Sequence, residues 1–218
     1  MIDRLAKSFL DRLWAGFGKP IAALGISPNT VTLMGAFFVL ASCIWFLFHR
    51  NHLLFGICLS FSFIADALDG AVARLTGTST RFGGYLDAMI DRYQEAAVLF
   101  VLAWVNDIWA IAFFAITGAF LISYAKARVA LEIKTDNNDW PDFFERLERL
   151  IFLCAILIFD PFVAWESLDK LGGLLPVGLI VYAILAHGTA IQRFLRARRL
   201  LIQADMNDAK TDVSKRPH

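Results

Sequence analysis

Four aspartates, Asp66, Asp69, Asp87 and Asp91, fall within residues 66–91 of a chain whose neighbouring segments are almost purely apolar. Asp66 and Asp69 are spaced i,i+3 and Asp87 and Asp91 i,i+4, so on helices each pair shares one face. If the two segments form an antiparallel hairpin turning near residue 78, Asp69 matches Asp87 in depth and Asp66 matches Asp91. The four then make a box of carboxylates. Left charged in a bilayer, each would cost about 3 kcal/mol even on the lenient insertion scale. Arg74, Arg81 and Arg92 could offset part of that, the acids could be protonated as in a proton relay, or divalent cations could neutralise them. Hard oxygen donors select Mg²⁺, Mn²⁺ or Ca²⁺ over zinc. Two such cations sharing four carboxylates would clamp a phosphate or pyrophosphate. Gly70, Ala73, Gly83 and Gly84 leave room for a ligand against the backbone, although small residues also serve ordinary helix packing.

The elements that must position these residues are membrane helices. The chain is 58% hydrophobic with 20 phenylalanines, and its mean hydropathy is +0.57. That composition fits an all-α polytopic membrane protein. A spanning helix needs roughly 20 mostly apolar residues. Residues 30–49, 108–125 and 171–191 qualify without a formal charge, and 150–165 form a run broken only by Asp160-Pro161. Residues 52–74 are apolar and then acidic, whereas 82–106 are charged and then apolar. Six transmembrane helices are expected in one domain over residues 1–203, with a polar, disordered tail over 204–218. Lys and Arg gather at the N-terminus, the 75–81 link, the 126–149 segment and the C-terminus, which predicts both termini and all four aspartates toward the cytoplasm. Met1 to Lys19 lacks the uninterrupted apolar core of a cleavable signal. There Ile2, Leu5, Phe9, Leu13 and Phe17 recur at helical spacing, as in an interfacial amphipathic helix. Cys43, Cys58 and Cys154 lie in separate apolar runs and read as packing residues rather than disulfide or metal ligands. A net charge of +1 carries no footprint for nucleic acid.

The spacing D-x2-D-G-x2-A-R-x8-G-x3-D-x3-D, met here by Asp66, Asp69, Gly70, Ala73, Arg74, Gly83, Asp87 and Asp91, resembles the signature of the CDP-alcohol phosphotransferases. The resemblance extends over nearly the whole chain, including the "ISPNTVT" segment leading into the first span. It implies an integral cell-membrane enzyme, often a homodimer, that uses two divalent cations, Mg²⁺ or Mn²⁺. The implied donor is CDP-diacylglycerol or a CDP-archaeol type lipid. An alcohol would attack the phosphorus nearest the lipid, and CMP would leave. Asp66, Asp69, Asp87 and Asp91 would hold metal. The resemblance assigns the general base to Asp91, which depth alone does not separate from Asp66. Arg74 would pair with a nucleotide phosphate. Asn29, Thr32 and Thr80, with Gly70 and Ala73, are carried over as CDP-lipid contacts. Helix capping is the competing account, since Ser27-Pro28 already reads as an N-cap and first turn.

Lys126, Arg128, Arg146 and Arg149 fall near the ends of the fourth and fifth spans, and Arg193 ends the sixth. Positive-inside anchoring accounts for Arg196, Arg198 and Arg199. Arginine forks from several helices suit a phosphorylated polyol acceptor better than a neutral alcohol. The blocks "SYAKAR", "ERLERL" and "IQR" resemble the inositol-phosphate branch of the family, and glycerol 3-phosphate is the alternative acceptor. An ion or proton transporter with buried acids is the remote alternative, disfavoured because the acids cluster at one face and no repeat is visible.

Overall fold

The sequence writes its own helix boundaries. Ser27 caps the first helix by accepting a hydrogen bond from the Thr30 amide at 3.2 Å, with Pro28 in the first turn. This helix, α1 (Pro28–His49), ends at Arg50 with φ 51°, and Asn51 caps α2 (His52–Thr76) through the Leu54 amide at 3.0 Å. Helix α2 stops at Gly77, whose φ of 65° suits a residue without a Cβ. Thr80 then caps α3 (Arg81–Asn106) by accepting from the Gly83 amide at 2.9 Å. Three further helices follow: α4 (Trp109–Glu132), α5 (Arg146–Phe159) and α6 (Leu174–Ser214), with a 3-10 turn at Asp160–Phe162 after α5. This computed structural model describes residues 19–20, 23–134, 140, 142–163 and 173–214, with side chains save those of residues 64–67, 69, 71 and 209–214. The amphipathic helix expected over residues 2–17 lies outside the described residues.

Among the described residues the protein is all-helical, without strands. By length and composition three of the described helices can cross a membrane: α1, α4 and the Leu174–Asp208 part of α6. Helices α2 and α3 are as long, but their carboxylate-bearing halves lower their mean hydropathy. Helix α5 covers 14 residues, fewer than the expected run over 150–165, because Asp160-Pro161 ends its hydrogen-bond ladder. Helix α6 departs the other way. It continues past Ala204, where a disordered tail is expected, because no glycine or proline interrupts residues 189–214.

The six helices close into a ring whose spatial order, α1–α2–α5–α6–α4–α3, differs from chain order. Close contact within it depends on missing side chains. A Cβ on Gly56 of α2 would lie 2.9 Å from the Leu157 Cβ of α5, one on Gly118 of α4 would lie 2.9 Å from Ala186 of α6, and one on Gly178 of α6 would lie 2.6 Å from Ile156 of α5. The interior is filled by Val39, Phe46, Phe55, Leu99, Leu153 and Leu179. Outward, Phe37, Phe61, Phe113, Ile184 and Phe194 are exposed, the surface a helix bundle presents to lipid. At one end of the ring the α2–α3 link meets the start of α1. At the other end, His52 Nδ1 and Asp160 Oδ2 lie 2.6 Å apart, and Asp160 Oδ1 accepts the Leu175 amide at 2.9 Å. That carboxylate joins the ends of α2, α5 and α6. The three cysteines are free.

Candidate active site

At the α2–α3 link a cavity of about 210 Å³ is bordered by Pro28, Asn29 and Thr32 of α1, Gly70, Ala73 and Arg74 of α2, residues 78–80, and Gly83, Gly84 and Asp87 of α3. A second space of about 360 Å³ opens beside it between residues 25–29 and Thr76, Thr78 and Thr80. Thus Asn29, Thr32, Gly70, Ala73, Arg74 and Thr80, which the sequence offers as CDP-lipid contacts, all border one cavity. The glycines have different causes. A Cβ on Gly83 would meet Asn29 Oδ1 at 2.9 Å and Thr80 Oγ1 at 3.0 Å, so its bareness lets α1 and α3 converge. Gly84 has nothing within 4 Å, and its bare face leaves open space. Thr80 caps α3, and the Thr32 hydroxyl donates to the Pro28 carbonyl at 3.2 Å. For these two residues capping or helix bonding and bordering the cavity coexist.

Asp87 faces this cavity and Asp91 follows one turn later on α3. Asp91 is buried, with Oδ1 2.5 Å from Arg146 of α5 and Oδ2 3.3 Å from Arg92. The side chains of Asp66 and Asp69 lie outside the described residues, and no group of three or more metal-ligating side chains occurs within them. Asp87 and Asp91 offer oxygen donors only, the chemistry that Mg²⁺ or Mn²⁺ takes.

The five cations considered for the acceptor separate. Arg146 bridges Asp91 and the Gln94 side-chain carbonyl, the latter at 3.3 Å. Arg193 donates from Nε to Asp142 at 2.7 Å and from Nη1 to the Ile122 carbonyl, with its guanidinium 5.8 Å from the Trp140 ring centre. Lys126 lies within electrostatic reach of Arg193, Glu145 and Asp142. Arg128 is half-exposed and pairs with Glu132 on its own helix at 2.6 Å. Arg149 stands apart. It is 1% exposed and donates to both oxygens of Glu95, at 2.8 and 3.2 Å, and to the Phe144 carbonyl at 3.4 Å. Its fork is engaged inside the bundle, between Glu95 and the Phe144 carbonyl. Arg196, read above as an anchor, pairs with Asp142 at 3.2 Å.

Sequence reasoning passed over Glu95, Tyr182 and Asp142. Glu95 carried a readable signal: a lone carboxylate one turn beyond Asp91, followed by an apolar run, demands a buried partner. Asp142 carried none, since its complete burial follows from a loop folding against α6.

The CDP-alcohol phosphatidyltransferase profile matches residues 25–187. An archaetidylinositol phosphate synthase of Pyrococcus horikoshii is 34% identical over 185 residues, covering 84% of this chain and 90% of that one. A phosphatidylinositol phosphate synthase of Streptomyces avermitilis is 29% identical, covering 99% and 90%. Among solved structures, the phosphatidylinositol phosphate synthase of Mycobacterium tuberculosis with CDP-DAG bound superposes with a TM-score of 0.71 at 28% identity, covering 85% of this chain and 94% of that one. The same enzyme in complex with manganese and citrate gives 0.69 at 28% identity, covering 84% and 88%.

Proposed function

Since the chain belongs to the CDP-alcohol phosphatidyltransferase family, we propose that it transfers a phosphatidyl-type group from a CDP-linked lipid to a hydroxyl of inositol phosphate, releasing CMP. The donor is CDP-diacylglycerol or its archaeal ether counterpart. Asn29, Thr32, Gly70, Ala73, Arg74 and Thr80 receive the nucleotide and pyrophosphate, with Arg74 on a phosphate. Asp66, Asp69, Asp87 and Asp91 hold two divalent cations, Mg²⁺ or Mn²⁺. Bound there, the cations neutralise the pyrophosphate and the charge developing on the departing CMP. Asp91 takes the proton from the acceptor hydroxyl as its oxygen attacks the lipid-side phosphorus. Arg146, Arg193 and Lys126 hold the acceptor phosphate, with Arg128 at the rim.

One observation supports the acceptor reading above the others. Arg146 lies 2.5 Å from Asp91, so a cation suited to a phosphate adjoins the carboxylate that would deprotonate the same molecule's hydroxyl. All six helices span the membrane in this reading. Both termini and the cavity lie on the cytoplasmic side of the cell membrane, and the enzyme is a homodimer. The test is CMP release from a CDP-lipid with a panel of inositol phosphate, glycerol 3-phosphate, inositol and serine. Turnover with inositol phosphate alone is expected. Preference for glycerol 3-phosphate would move the enzyme to the alternative acceptor, and no CMP with any of them would remove the transferase reading. Arg146→Ala and Arg193→Ala should each raise the KM for inositol phosphate roughly ten- to hundred-fold. Exposed Arg199→Ala is the matched anchoring control.

A further inference from the structure

Helix α3 does not neighbour α5 or α6 in the ring, yet side chains from all three meet inside it. Glu95 of α3 receives the Arg149 fork of α5, and the Tyr182 hydroxyl of α6 donates to Glu95 Oε1 at 2.7 Å. Glu95 is 3% exposed, Arg149 1% and Tyr182 1%. The trio sits one turn deeper than the Asp91–Arg146 pair on both helices. Glu95 follows Asp91 at i,i+4, and Arg149 follows Arg146 at i,i+3. Two rungs therefore join α3 to α5. The outer rung carries the groups assigned to base and acceptor phosphate, and the inner one is closed inside the bundle.

We propose that Glu95, Arg149 and Tyr182 are positioning residues that fix the rotation and depth of α5 against α3 and so hold Arg146 against Asp91 for the acceptor. The inference rests on the acceptor reading above. A pair of buried charges is a poor stabiliser compared with well-packed apolar side chains, because desolvation offsets most of its attraction. What a bidentate fork adds is direction. An apolar contact tolerates sliding by a fraction of a turn, whereas two parallel N–H···O bonds and a phenol donating to the same carboxylate do not. Helix α5 needs such a fix because it is short and begins at Glu145 without a side-chain cap. Loss of the inner rung should therefore weaken use of the acceptor and spare the CDP-lipid, whose cavity is bordered by α1, α2 and α3.

The test uses the full-length protein in lipid nanodiscs, with KM for inositol phosphate and for CDP-lipid measured separately beside the melting temperature. Tyr182→Phe keeps the shape and removes one hydrogen bond. It should raise the acceptor KM about fivefold and leave the CDP-lipid KM within about twofold. Glu95→Gln should raise the acceptor KM at least about tenfold and also lower the melting temperature, since it strands the Arg149 charge. The neutral pair Glu95→Gln with Arg149→Met should recover the melting temperature but keep the high acceptor KM. Recovery of both would reduce the trio to a packing element and overturn the proposal, as would an acceptor KM unchanged in Tyr182→Phe. If Arg146→Ala weakens inositol phosphate and the inner-rung variants do not, positioning fails while the acceptor reading stands. If the unmodified enzyme ignores inositol phosphate, the acceptor reading fails, and the same variants are scored on the alcohol that does react; an unchanged KM there overturns positioning as well.

Discussion

Asp91 is held between two guanidiniums, from Arg92 beside it and Arg146 across the bundle. A carboxylate so held has little freedom to turn, which suits the base role proposed for it. Asp91→Asn keeps the shape and loses the proton acceptor, so kcat should fall roughly a hundred- to ten-thousand-fold. CDP-lipid binding, measured separately, should persist through the remaining carboxylates. Near-normal turnover would leave Asp91 as a metal ligand or bystander. Chelation by EDTA should abolish turnover, and Mg²⁺ or Mn²⁺ should restore it; full activity in chelator would remove the cations from the reaction. At this scale the sequence was legible where spacing alone carries meaning. The motif positions from Gly70 to Asp87 border one cavity, together with the threonines that the family resemblance added. It was illegible where the partner decides. Arg146 and Arg149 are one turn apart in the same charged repeat, and only Glu95 on a distant helix makes one of them interior.

Helices were the easier part to anticipate, because apolar runs, Ser27-Pro28 and Asp160-Pro161 state where they start and stop. The exceptions have local causes. Helix α5 is truncated by its proline, and α6 runs on because neither glycine nor proline stops its polar end. How closely two helices may lie was not written in hydropathy at all. It depends on single glycines whose importance appears only once the opposite surface is known. Gly118→Val is expected to destabilise the protein by about 1–3 kcal/mol, since its first carbon already meets Ala186 and the His187 backbone. A lower melting temperature in detergent would show this. Gly188→Ala on α6, which meets nothing within 4 Å, should melt close to the parent protein.

The order of helices around the ring is a property of the whole molecule, and no segment of the sequence announces it. Helix α2 packs against α5, a partner made much later, and the ring closes only when α6 joins α4 to α5. Asp160 records that closure: it takes the Leu175 amide and His52 at the end remote from the cavity. Asp160→Ala should lower the melting temperature by an amount worth about 1–3 kcal/mol, because both partners lose a part-buried bond. This carboxylate also has a place in time. A ribosome delivers His52 well before Asp160 and Leu175, so for much of synthesis the start of α2 is without the groups it meets there. The contact is completed only when α6 has been made, and its formation marks the closed ring. Nascent chains arrested before α6 should thus be the ones that cellular quality control recognises and clears.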